Sequence, residues 1–218
     1  MWWIVMAVFF ASLGLFLFGA QKRIEWLMYL TKPLLTASLL LFYTGRAESV
    51  DPLVVLALLG GLAGDVFLML PERGYLFHFG LVSFLAGHIC YILAFLEGAE
   101  PLNRLGGWFF PLAIPYVAAG ILIFKRLKPN AGKLAPFVLA YIGVIIGMGL
   151  ASLTTIGGAP GAAFLIPVAG SLLFIASDTC LAFARFTCKR CRTSTVMITY
   201  GLAQLLLTLY FTFFRGLS

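Results

Sequence analysis

The sequence predicts an all-α integral membrane protein, a bundle of eight transmembrane helices, and three observations carry that prediction. Of 218 residues, 62% are hydrophobic and 11% charged, and mean hydropathy is +1.04. A soluble domain carries about a quarter charged residues, so the solvent for this much apolar surface is lipid. Apolar runs recur along the whole chain, near 2–20, 24–43, 52–70, 76–96, 108–124, 134–154, 161–184 and 195–214, each about as long as the roughly 20 residues a span needs. They are continuous, without the period-two alternation of a barrel strand.

Breakers and charges separate the runs in turn. Gln21-Lys22-Arg23 follows the first run, and no positive segment precedes it, so it reads as a retained helix and not a signal peptide. The later boundaries are Arg46 to Pro52, Pro71-Glu72-Arg73, Glu97 to Arg104, Lys125 to Lys133, Gly157 to Pro160 and Arg185 to Arg192. Eight spans leave short loops, so residues 1–218 are expected to be a single transmembrane domain.

Orientation follows from the 15 Lys and Arg. Eleven lie in the loops after the odd-numbered spans: Lys22, Arg23, Arg73, Lys125, Arg126, Lys128, Lys133, Arg185, Lys189, Arg190 and Arg192. Arg46, Arg104 and Arg215 lie on the other side, and Lys32 is inside the second span. The positive-inside bias puts both termini outside the cytosol. The net charge of +7 is this topology signal plus attraction to anionic headgroups, and a nucleic-acid partner has no support. Cys188 and Cys191 fall in a basic loop expected to be cytosolic and reduced. They resemble half a zinc site without its second pair and read as loop cysteines, so no metal is expected.

Charged groups inside a span cost at least about 2.5–3.5 kcal/mol each, which makes each one a functional candidate. The candidates are Lys32, Asp65, His88 and Asp178, with Tyr91, Ser171, Ser177, Tyr200 and Gln204 as polar companions. At about 1.5 Å per residue, Lys32, Asp65 and Asp178 lie roughly 9–12 Å from the cytosolic face, Tyr200 and Gln204 about 8 and 14 Å, and His88 about 18 Å. Coincidence at one depth on five helices predicts one shared cavity. The residues also have structural readings. Lys32 reads either as a snorkelling chain or as the partner of an aspartate, His88 as a structural hydrogen-bonded group, and a single Asp as a helix-pairing group. Tyr116 and Tyr141 are expected to be interfacial belt residues. Gly60-Gly61-Leu62-Ala63-Gly64 before Asp65 predicts close helix packing or room for a ligand. Gly64-Asp65-Val66-Phe67-Leu68 and Ser177-Asp178-Thr179-Cys180-Leu181 are alike and four spans apart, which hints at a parallel four-plus-four repeat.

Thr31-Lys32-Pro33, GGLAGDVFLMLP (60–71), FHFGLVSFLAGHICYILAF (77–95), FIASDTCLAFARF (174–186) and the Tyr200…Gln204 pair occur in this order. Together they resemble the lysoplasmalogenase (YhhN-like) family of eight-span membrane proteins. That resemblance implies cleavage of the vinyl ether of a lysophospholipid, giving a fatty aldehyde and glycerophosphoethanolamine or glycerophosphocholine. It implies Asp65 and Asp178 as a catalytic pair, with Lys32, His88, Tyr91, Ser177, Tyr200 and Gln204 lining the site. An enol ether is cleaved by protonation of its terminal vinylic carbon, followed by water addition to the oxocarbenium ion. Two aspartates in one low-dielectric site suit this, one held protonated by burial and repulsion while the other stays ionised, as in glycosidases. No cofactor is required. The implied surroundings are membrane lipid, in a bacterial inner membrane. The rival reading is a small proton-coupled transporter, or a lipid-binding membrane protein, because intramembrane Asp, His and Lys also build proton relays.

Overall fold

With no water inside a bilayer to satisfy backbone N–H and C=O groups, apolar runs of this length resolve into helices. The computed structural model describes residues 2–70, 74–97, 107–156, 161–187 and 191–215, and among these there are eight α-helices and no strand. They are α1 (Trp2–Lys22), α2 (Glu25–Arg46), α3 (Pro52–Met69), α4 (Gly74–Glu97), α5 (Phe109–Ala131), α6 (Ala135–Leu153), α7 (Leu165–Phe186) and α8 (Thr193–Phe213). Seven helical stretches are long and apolar enough to cross a membrane, because α5 and α6 run on through a single 3₁₀ turn, Gly132–Leu134, as one stretch of 45 residues. That stretch folds back on itself. Gly132 takes a positive φ of 52° at the turn, Gly120 of α5 packs on Ile146 of α6, and Tyr116 packs on Gly149.

Consecutive helices pack as hairpins: α1 with α2, α3 with α4, α5 with α6, and α7 with α8. Further contacts join α2 to α3, α6 to α7, α4 to α6 and α2 to α8. Large apolar side chains such as Phe10, Leu41, Phe110 and Leu122 face outward, while Thr36, Asp65, His88, Ser171 and Gln204 are buried. This is the inverse of a soluble protein's surface and suits a lipid solvent.

Local chemistry explains the ends. Asp51 caps α3 by accepting from the Leu53 N–H at 2.7 Å, with Pro52 at the first helical position, where a missing N–H is harmless. Arg23 takes the left-handed conformation after α1, and the Ile24 N–H returns to Gly19 O at 2.8 Å, satisfying an end carbonyl. The sequence places a loop from Lys125 to Lys133, but α5 continues to Ala131. Leu127 and Ala131 are buried there, and Lys and Arg are favoured in a last helical turn, so the basic run is helix and not linker.

Close packing of α3 on α4 is set by glycine. A Cβ on Gly60 would lie 2.8 Å from Ser83 O, one on Gly64 2.5 Å from the Phe84 ring, and one on Gly80 2.7 Å from Leu68. Small residues at the contact allow this approach. Arg73, Arg104, Lys189 and Arg190, four of the charges that set the expected orientation, lie outside the described residues, as does Cys188.

Candidate functional site

Helix α3 buries Asp65 to 1% exposure and turns it between α2 and α8. Lys32 Nζ of α2 lies 3.0 Å from its Oδ1. Thr36, one turn along α2, donates to Oδ2 at 3.0 Å, and Tyr200 of α8 donates to the same oxygen at 2.7 Å. Behind Tyr200, the Gln204 amide donates to its hydroxyl at 3.2 Å and accepts from Tyr91 of α4 at 2.9 Å. Every group facing Asp65 in this set carries a proton to give, the surroundings of a carboxylate.

Asp178 stands in a second nest, between α6 and α4. His88 Nε2 is 3.1 Å from Oδ2, and the Tyr141 hydroxyl donates to that oxygen at 2.5 Å. Tyr141 also lies 3.4 Å from His88 Nε2. Phe174 of α7 separates the nests: its ring meets His88 edge-on at 4.6 Å and Tyr200 at 5.5 Å. The shared cavity expected from sequence is therefore two nests divided by an aromatic ring.

The nests open to one end of the bundle by different clefts. Asp178 and Tyr141 line a largely apolar cleft with about 480 Å³ of empty space among the ends of α4, α5, α6 and α7. Lys32 lines another, of about 640 Å³, where α2 and α8 begin and α3 ends.

Asp65, Lys32, Tyr200, Gln204 and Tyr91 thus converge on one nest, and Asp178 and His88 on the other. Ser177 is buried and directed elsewhere, donating to Val196 O of α8 at 3.2 Å. Ser171 pairs with Ser152 of α6 at 2.8 Å. Two contact residues escape sequence reasoning, Thr36 and Tyr141. Tyr141 corrects the belt assignment, since its hydroxyl is spent on Asp178 instead of an interface. Tyr116 is likewise buried, at 7% exposure, against Gly149. Gly61 makes room for the first nest: a Cβ there would fall 2.6 Å from Gln204 Nε2 and 3.2 Å from the Tyr200 hydroxyl. Cys90, Cys180 and Cys191 are free thiols, and among the described residues no three His, Cys, Asp or Glu side chains gather.

An all-helical bundle, apolar outside and holding two carboxylates in buried polar nests, defines an integral membrane protein with an intramembrane polar site. Its family follows from comparison with known proteins: residues 27–211 match the YhhN family, and the chain belongs to that family. It is 32% identical over 151 residues to lysoplasmalogenase TMEM86A of Bos taurus, covering 67% of this chain and 59% of that one. It is 30% identical over 170 residues to proteins named lysoplasmalogenase from Mycobacterium bovis and Mycobacterium tuberculosis, covering 74% of this chain and 61% of each. The chain spans about three-fifths of the length of these relatives. No solved structure matches it.

Proposed function

We propose that this protein hydrolyses the vinyl ether bond of lysoplasmalogens, releasing a fatty aldehyde and a glycerophospho-alcohol. The names of the relatives support the reaction. The observation that carries it to particular residues is the contrast between the two nests. Asp65 meets an ammonium and two hydroxyl donors, while Asp178 borders an apolar cleft with Tyr141 and His88 at its back. Asp178 is the proton donor in this reading. Its proton passes to the vinylic carbon β to the ether oxygen, the C=C electrons form that C–H bond, and an oxocarbenium ion results. Once the Phe174 ring moves aside so that the ether meets both carboxylates, Asp65 supplies negative charge and accepts a proton from the attacking water. As the hemiacetal collapses, the proton on Asp65 goes to the departing glycerol oxygen and the hydroxyl proton returns to Asp178 through Tyr141, giving aldehyde and alcohol.

The topology that serves this is one transmembrane domain of eight spans with both termini non-cytosolic, in a bacterial cytoplasmic membrane. The fold-back of α5 on α6 supports eight passes. A four-plus-four repeat is supported by position. Asp178 comes 113 residues after Asp65, Gln204 113 after Tyr91, and Tyr200 112 after His88.

The test is aldehyde release from a defined lysoplasmalogen by protein purified in detergent and reconstituted in liposomes, with Asp65→Asn and Asp178→Asn alongside. Full activity in either variant removes that residue from the mechanism. Solute flux without turnover replaces the enzyme with a proton-coupled carrier.

A further inference from the structure

We infer that Glu25 reads the ammonium of a zwitterionic lysophospholipid headgroup seated in the cleft beside Lys32, an assignment that rests on the reading above. Among the described residues lining that cleft, the charged ones are Glu25 and Lys32. They stand seven residues apart on α2, with Met28 and Tyr29 of the same lining between them, so the four share one helix face. Glu25 is exposed at the mouth, in the first turn of α2. Lys32 is deeper and 19% exposed, and it stands between the cleft and the buried Asp65. The cleft therefore runs from negative at its mouth to positive at its floor. Glu25 is also out of keeping with its surroundings, because the basic Lys22, Arg23 and Arg192 are exposed at the neighbouring ends of α1 and α8. A helix dipole favours an acid in a first turn, but that does not place it on the face that carries Lys32.

A phosphoethanolamine or phosphocholine headgroup has the matching order, phosphate next to the glycerol and ammonium farthest from it. Lengths agree. Two helical turns separate Glu25 from Lys32 by roughly 10 Å. Four bonds join phosphorus to nitrogen and span about 5 Å when extended, and a charged contact at each end adds about 3–4 Å. A phosphate on Lys32 therefore lets the ammonium reach Glu25, with the Tyr29 ring beside it to attract the cation. Lys32 can serve both anions, because an ammonium has three N–H donors and Asp65 Oδ1, at 3.0 Å, is one acceptor. Five further bonds, roughly 6 Å, lead from phosphorus to the ether oxygen, which carries the ether past Asp65 toward Phe174. Glu25 thus selects the headgroup, and Lys32 sets how deep the ether sits.

The test is binding, measured on the full chain in nonionic detergent with ligands that cannot turn over. These are a saturated 1-alkyl lysophosphoethanolamine and the lysophosphoglycerol of the same chain, which keeps the phosphate and lacks the ammonium. The wild type is expected to bind the ethanolamine lipid more tightly by about two- to fivefold, the range of one solvent-exposed charge pair. Glu25→Gln should remove that preference by weakening the ethanolamine lipid, and Glu25→Lys should reverse it. Glu48→Gln removes the same charge at the far end of the bundle and should leave the preference as it is. Equal wild-type affinity for the two lipids would overturn the assignment. So would an equal loss on both in Glu25→Gln, which marks a structural role at the start of α2, or an equal shift in Glu48→Gln, which marks overall charge. Vinyl ether turnover, assayed separately, reports on the parent reading, so headgroup selection without hydrolysis and hydrolysis without headgroup selection are distinct results.

Discussion

Asp65 and Asp178 hold corresponding places in the bundle: Asp65 is gripped from α2 and α8, and Asp178 from α6 and α4, each helix exchanged for the one four positions along the chain. The contact of α2 with α8 has its counterpart in that of α6 with α4. The partners are nevertheless different, Lys32, Thr36 and Tyr200 on one side and His88 and Tyr141 on the other. Equivalent scaffolds with unequal donors let two identical carboxylic acids take different protonation roles, as the proposed acid and base at one ether bond would require.

If the carboxylates work as a unit, their losses do not add. Asp65→Asn and Asp178→Asn are each expected to lower aldehyde release by about 10³-fold or more, and the double variant to be little worse than the poorer single one. Initial rates on folded, monodisperse protein measure this. Strict multiplication of the two losses would argue for independent roles.

Tyr141 separates a proton path from mere packing. Its 2.5 Å bond to Asp178 orients that carboxyl and offers a route for reprotonation after each turnover. Tyr141→Phe keeps the ring beside His88 and is expected to cost kcat about 10- to 100-fold while KM changes little. The solvent deuterium isotope effect should also change, which a purely structural tyrosine would not bring about. A shift confined to KM would place Tyr141 in lipid binding.

Lys32 and Asp65 make a stability prediction that does not depend on activity. Removing one member of a buried pair strands the other charge, at a cost of about 3 kcal/mol. Lys32→Met should therefore lower the thermal midpoint in detergent, and Asp65→Asn added to it should recover most of the loss. Additive destabilisation in the double variant would mean that the 3.0 Å pair carries no coupling.

Gly61 offers a test of space. Gly61→Ala drives a methyl group against Gln204 Nε2, which the Tyr91–Gln204–Tyr200 chain of hydrogen bonds holds in place. Tyr200 shifts with it and its bond to Asp65 lengthens, so turnover should fall about tenfold. Gly143→Ala is the control. Nothing lies within 4 Å of a Cβ there, and alanine favours the helix.

Much of this arrangement is legible in the chain because lipid makes buried polarity conspicuous. Lys32, Asp65, His88 and Asp178 stand out by their cost in a span, and depth alone groups them with Tyr200 and Gln204. Thr36 escapes because a threonine hydroxyl commonly bonds its own helix's carbonyl, as Thr31 does to Leu27 O at 2.7 Å. Tyr141 escapes because a tyrosine near a span's end resembles an interfacial anchor. The division into two nests was not readable at all, since it depends on where one phenylalanine among 21 points its ring.

Arg215 tests the opposite end of the bundle. It follows α8, pairs with the α3 cap Asp51 and with Glu97 of α4 at 3.0 Å, and lies 5.5 Å over the Phe211 ring. Partial burial pushes its guanidinium below the usual range, opposed by nearby Tyr43, whose hydroxyl accepts from the Asp51 N–H at 2.9 Å. One side chain thus ties the ends of three helices. Asp51 is 12% exposed and Glu97 59%, so the Asp51 arm holds most of the stabilisation, because exposed pairs are screened. Arg215→Ala should destabilise by about 1–3 kcal/mol, lowering the detergent midpoint by several degrees, whereas Glu97→Gln should shift it little. Activity per folded molecule should not change, because the clasp lies at the other end of the helices from both clefts. An equal loss of stability from Glu97→Gln would show that the exposed arm holds the clasp together.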